Sequence, residues 1–197
     1  MSDSQPLIYL DLDRTLFMTD RARTVFGEAC QKLYDIDPGQ FAKESAAFRV
    51  TLGEQHYSRF FDQLAAHGIA PSAAKDELFR ALHGQDFLYP DARELLRYLD
   101  AQQIQPTILT LGDHDYQTFK ASLAPELAQR PIITVEQTKA IFLKTINTPA
   151  LVIDDHMVTD LPARHRLIII DRSQSEAQHQ YAGYVTINNL TLIKELL

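Results

Sequence analysis

Acidic, hydroxyl and amine side chains recur at the ends of short apolar runs in this chain. Leu7-Ile8-Tyr9-Leu10 runs into Asp11, Asp13 and Thr15. The run from Pro106 to Leu111 carries Thr110 and is followed by Gly112 and Asp113. Lys139 opens a helical pattern shortly after the run Ile132 to Val135, and Leu151-Val152-Ile153 runs into Asp154 and Asp155, with Asp160 close behind. If these groups share one pocket, the carboxylates repel. At ~4 Å each like-charged pair costs about 4 kcal/mol even at an effective dielectric near 20. A hard divalent cation with oxygen ligands and retained waters relieves that repulsion, and magnesium suits such a set. One lysine and one hydroxyl then suit the oxygens of a transferring phosphoryl group.

The elements that must position these groups follow from the pattern of apolar residues. A short apolar run ending in polar residues fits a buried parallel strand with its chemistry at the C-terminal tip. Residues from about 20 to 83 read as helices only. The stripe Ala22, Val25, Phe26, Ala29, Cys30 and Leu33 is the first, and Phe41, Ser45, Phe48 and Leu52, between Pro38 and Gly53, the second. Tyr57, Phe60, Phe61, Leu64 and Ala65 form the third, and Ala74, Leu78, Ala81 and Leu82 the fourth, with Gly68 and Gly84 as stops. From Asp91 the chain alternates. Helices at 91–101, 116–123 and 137–146 separate strands at 106–111, 132–135 and 151–154, and further strands follow at 167–170 and 184–187. This predicts a doubly wound, parallel α/β sheet of Rossmann-like type with a small all-α insertion after the first strand. The expected division is a core of residues 1–17 and 88–197 and a helical cap of residues 18–87. Ligands of such sheets bind at the carboxyl ends of the strands, where the polar residues cluster.

The ordered set resembles the haloacid dehalogenase-like hydrolase superfamily, in its phosphatase type with a helical cap. Leu7 to Phe17 is similar to the family's first motif, an apolar strand followed by Asp-x-Asp-x-Thr; Ile108-Leu109-Thr110 resembles the second, Lys139 the third, and Leu151 to Asp155 with Asp160 the fourth. The resemblance implies a phosphoric monoester hydrolase. Asp11 would attack phosphorus and form an aspartyl phosphate, and Asp13 would serve as acid and base. Magnesium would be held by Asp11, the backbone carbonyl of Asp13 and Asp155, with Asp160 in support and Asp154 a further candidate. Thr110 and Lys139 would bind the phosphoryl group. Arg14 stands where the family often has glycine; contact with substrate, pairing with Asp113 and exposure to solvent are all open to it. Lys120 is the substitute for Lys139, whereas Lys144 lies about 140° around the helix from Lys139 and faces elsewhere. A phosphomutase or phosphotransferase of the same family, or a non-catalytic phosphate-binding module, is the alternative.

Composition narrows the partners. The 197 residues carry a formal net charge of −7 and no basic stripe, which argues against nucleic acid. No apolar run approaches the ~20 residues of a membrane helix. Cys30 is the single cysteine, so no intrachain disulfide forms. Met1 to Pro6 lacks the basic and apolar character of a secretory leader, and the expectation is a cytoplasmic protein. The expected partner is a small phosphorylated metabolite. Arg21, Arg23, Arg49, His56 and Arg59 are candidates to contact it from the cap, and the oligomeric state is not legible.

Overall fold

A computed structural model describes residues 7–52, 55–181 and 183–197. Met1 to Pro6 and Gly53, which figure in the sequence reading, lie outside the described residues. The chain opens with β1 (Leu7–Leu10), α1 (Thr19–Tyr34), α2 (Pro38–Glu44), a 3-10 turn (Ser45–Phe48), β2 (Arg49–Leu52), β3 (Gln55–Ser58), α3 (Phe60–Ala66) and α4 (Pro71–Leu82). It continues with α5 (Pro90–Ala101), β4 (Thr107–Leu111), α6 (His114–Ser122), α7 (Pro125–Ala128), β5 (Ile132–Val135) and α8 (Lys139–Lys144). β6 (Ala150–Asp154), β7 (Arg166–Ile170), β8 (Gln178–Tyr181), β9 (Tyr184–Ile187) and a 3-10 segment (Leu190–Glu195) complete it.

Among the described residues, seven strands form one sheet in the order β5-β4-β1-β6-β7-β9-β8. The chain steps outward from β1 through β4 to β5, then returns to β6 on the other side of β1. The direction of winding therefore reverses between β1 and β6, and a crevice opens at the carboxyl ends of such a pair. Side chains alternate faces along each strand. Ile8, Leu10, Ile108, Leu151 and Ile153 join one hydrophobic cluster, while Tyr9, Leu109, Val152 and Leu167 join another. The sheet is buried on both faces, as a doubly wound fold requires. Its edge departs from the purely parallel expectation: β8 pairs antiparallel with β9, and Gly183 at φ 97° lies in the short connection. Gln178-His179-Gln180-Tyr181 is polar and exposed on both faces, so it carries none of the apolar signal that marks the inner strands.

The block between β1 and α5 also departs from the all-helical expectation. Asp37 caps α2, its carboxylate accepting from Gln40 N at 2.7 Å, and the helix stops at Glu44. The chain then forms an antiparallel hairpin in which Val50 opposes Tyr57. Phe41, Ser45, Phe48 and Leu52 mimic a helical stripe, yet Arg49-Val50-Thr51 and Gln55-His56-Tyr57 carry the β-branched and aromatic residues that favour strands. The block shares its core with the sheet. Phe26 meets Phe119 edge-on at 5.8 Å, Phe61 meets Phe119 at 5.4 Å, and Phe60 stacks on Tyr116 at 4.9 Å. Its two connections run side by side: Met18 N donates to Phe87 O at 2.7 Å and Tyr89 N to Leu16 O at 3.0 Å. Among the described residues no helix is long and apolar enough to cross a membrane.

Candidate active site

Register fixes the first contact. Leu10 lies beside Ile153 and beside Ile108 on the flanking strands, and Asp11 N donates to Ile153 O at 2.8 Å. One step further along β1 and β6, Asp11 and Asp154 emerge together at the switch point, and Thr110 follows two steps past Ile108 on the β4 side. The chain then turns sharply, Leu16 N and Phe17 N both donating to Leu12 O at 3.1 and 2.8 Å. Arg14 sits in this turn with φ 61°, a left-handed conformation that glycine adopts at no steric cost. Its guanidinium pairs with Asp20 at 3.1 Å. Asp113, the other partner considered for it, instead caps α6 by accepting from Tyr116 N at 2.9 Å. Arg172 supports the turn from the far end of the chain, donating to Thr15 O at 2.9 Å and Asp91 Oδ2 at 2.6 Å while lying 3.8 Å over the Tyr89 ring.

Lys139 enters as the first residue of α8. Its ammonium bridges Asp11 Oδ1 at 2.5 Å and Asp154 Oδ2 at 2.6 Å, and all three side chains are buried. Burial pushes the Asp11 carboxyl up from the ordinary range, Lys139 pulls it down, and Asp154, Asp155 and Asp13 push it up again. For Lys139, burial opposes the charge, but the two carboxylates prevail and raise its pKa.

Asp13 has a second lysine. Lys120 Nζ lies 2.6 Å from both Asp13 oxygens, Thr19 Oγ1 donates at 2.6 Å and Gln117 Nε2 at 3.1 Å. Burial alone would raise this carboxyl; the Lys120 charge and the three donors outweigh it and hold it at about 2. Gln117 also donates to Leu111 O at 2.7 Å, and it fills the space over Gly112, where an added Cβ would lie 2.4 Å from Gln117 Nε2.

The loop after β6 gathers further donors. Asp154 Oδ1 accepts from His156 N at 3.0 Å, and Asp155 Oδ1 is 2.7 Å from His156 Nδ1. Ligand atoms of Asp154, Asp155 and His156 lie within 4.8 Å of one another. Asp160 is exposed with φ 59° and stands outside that group. The basic cap candidates Arg21, Arg23, Arg49, His56 and Arg59 are all exposed. Arg23 pairs with Asp20 at 3.5 Å, Arg59 with Asp62 at 3.6 Å, and His56 lies 3.1 Å from Thr51 Oγ1.

Among the described residues, four buried oxygens in this region have no hydrogen-bond partner: Asp11 Oδ2, Thr15 Oγ1, Thr110 Oγ1 and Gln117 Oε1. Buried polar groups of folded proteins are nearly always satisfied, so atoms left over at a strand-end crevice mark where a ligand belongs. A hard cation fits this donor set. The donors are oxygens, and one more positive charge would favour the ionised form of Asp11 against burial and its acidic neighbours. Sequence reasoning overlooked Thr19, Gln117 and Arg172. Gln117 and Lys120 stand three apart on one helix, a spacing that shares a face, and that was the available signal.

No protein-family model and no curated protein matches the chain. Solved structures do. A haloacid dehalogenase-like hydrolase from Burkholderia xenovorans superposes with a TM-score of 0.66 at 17% identity over 98% of this chain and 97% of that one. A HAD phosphatase from Thermococcus onnurineus gives 0.60 at 19% identity over 98% and 97%. The HAD-hydrolase YfnB from Bacillus subtilis, bound to magnesium, gives 0.57 at 16% identity over 98% of both chains. With the strand order, the connections and the placement of Asp11 at the switch point, these likenesses establish that the chain has the haloacid dehalogenase-like fold.

Proposed function

We propose that the chain is a magnesium-dependent phosphohydrolase that cleaves a small phosphomonoester through an aspartyl phosphate on Asp11. The observation that carries this reading is the free Oδ2 of Asp11, a buried carboxylate oxygen with two unpartnered threonine hydroxyls in the same crevice and Lys139 on its other oxygen. Asp11 Oδ2 attacks phosphorus and the bond to the ester oxygen breaks. The substrate's negative charge beside Asp13 raises its carboxyl from the low resting value, so that it enters the step protonated. The leaving oxygen takes that proton and departs as the alcohol. Water then attacks phosphorus and gives its proton to Asp13, releasing phosphate and restoring Asp11. One group serves both steps because the departing and the attacking oxygen occupy the same place relative to phosphorus. Lys139 and Thr110 hold the phosphoryl oxygens. Magnesium, held by Asp11, the Asp13 carbonyl and Asp155, with Asp154 or Asp160 in support, would neutralise phosphoryl charge. A substrate of metabolite size suits the reading, with the helical block and its hairpin over the site as a cap.

The test is a phosphatase screen over sugar phosphates, nucleotides, phosphoamino acids and phosphoglycolate, with and without EDTA. Phosphate release that is lost in EDTA and in Asp11→Asn supports the reading. Wild-type turnover by Asp11→Asn would refute it.

A further inference from the structure

The site contains two buried lysines, and only Lys139 touches the nucleophile. Lys120 comes from α6, is 2% exposed, and spends its ammonium entirely on the protein. Two contacts of 2.6 Å go to the two oxygens of Asp13, and the remaining face of the ammonium lies over the rings of Tyr116 at 4.8 Å and Phe17 at 6.0 Å. A buried ammonium satisfied in this way has no donor left for a phosphoryl group. Asp13 is correspondingly fixed from two sides. Thr19, the first residue of α1, donates to Oδ1, and Gln117, one helical turn before Lys120, donates to Oδ2.

We propose that Lys120 is the positioning residue of Asp13, aiming the acid/base carboxylate at the ester oxygen, and that it is not a phosphate-binding lysine. The inference rests on the phosphohydrolase reading and assigns a division of labour within it: Lys139 serves the nucleophile and the phosphoryl group, Lys120 the proton-transfer carboxylate. Correct placement of a general acid or base contributes roughly 10²–10⁴-fold, and that contribution is largest where the leaving oxygen most needs a proton. An alkyl phosphate needs it. A p-nitrophenyl ester, which leaves as a stabilised anion, needs it far less.

The experiment compares wild type, Lys120→Met and Thr19→Val on an alkyl phosphate that the wild type hydrolyses and on p-nitrophenyl phosphate, with inorganic phosphate as inhibitor. Lys120→Met lowers kcat for the alkyl ester at least about tenfold more than for the aryl ester, because only the former depends on the aim of Asp13. Thr19→Val shifts the ratio in the same direction by less, which keeps the test open if Lys120→Met folds poorly. The inhibition constant for inorganic phosphate stays unchanged in both. An unfolded fraction would lower both rates alike, so an unaltered or raised alkyl-to-aryl ratio in both variants overturns the proposal, as does weakened phosphate inhibition in Lys120→Met. A second readout needs no turnover: in a crystal of Lys120→Met the Asp13 carboxylate leaves Thr19 and Gln117, and finding it in place overturns the proposal even if wild type proves inactive on every phosphate.

Discussion

Replacing Lys139 by Met should destabilise the protein strongly, and in a way that depends on pH. The lysine bridges two buried carboxylates at 2.5 and 2.6 Å. Without it, Asp11 and Asp154 face each other across a dry gap. At ~5 Å and an effective dielectric near 20 their repulsion is about 3 kcal/mol. That agrees with the roughly 3–5 kcal/mol lost when one partner of a buried ion pair is removed. In a chain of this length the loss corresponds to a fall in Tm of about 6–20 °C. The sign of the pH dependence follows from Asp11, whose carboxyl burial already raises above its unfolded value; losing Lys139 removes the main opposing influence and raises it further. A carboxyl raised in the fold costs stability at pH above its unfolded pKa, and the cost fades as pH falls toward that value near ~4. The deficit should therefore be largest near pH 8 and smaller near pH 5. Urea unfolding in EDTA at both values, for wild type, Lys139→Met and Lys139→Met/Asp11→Asn, measures it. The double variant should regain part of the loss. A deficit under about 1 kcal/mol, the same deficit at both pH values, or a double variant no more stable than the single would refute the reasoning.

Two further outcomes follow from the same geometry. Thr110→Val replaces an unpartnered buried hydroxyl with a methyl group of similar shape, so stability should hold or rise slightly while inhibition by inorganic phosphate weakens; thermal melts and inhibition assays check both. Gly112→Ala drives a Cβ to 2.4 Å from Gln117 Nε2 at φ 149°, so it should cost about 1–3 kcal/mol in denaturant unfolding and lower kcat by displacing a donor to Asp13.

What the sequence revealed was set by how local the signal is. The parallel strands are continuous apolar runs, and Asp11, Thr110 and the pair Asp154-Asp155 follow from reading off their tips, although which of the pair meets Lys139 does not. Lys139 was legible because it opens a helix next to that edge. The hairpin at Arg49 to Ser58 was missed because Phe41, Ser45, Phe48 and Leu52 run into its first strand at helical spacing and Tyr57 falls on the next such stripe. β8 was missed because both its faces are wet. The Asp13 clamp was missed for a different reason: Lys120 and Gln117 lie more than a hundred residues from Asp13, and nothing local shows that the β4–α6 connection returns them to β1. The place of Asp160 and the exposure of the basic cap residues likewise depend on loop paths that periodicity does not encode.

The most direct measurement is to quench a single turnover of a substrate labelled with ³²P in its phosphoryl group, digest the protein and locate the radioactivity. The account predicts a transient acid-stable, base-labile label on the peptide containing Asp11, absent from Asp11→Asn. Label on another residue, or full turnover with none on the protein at any time sampled, would contradict it.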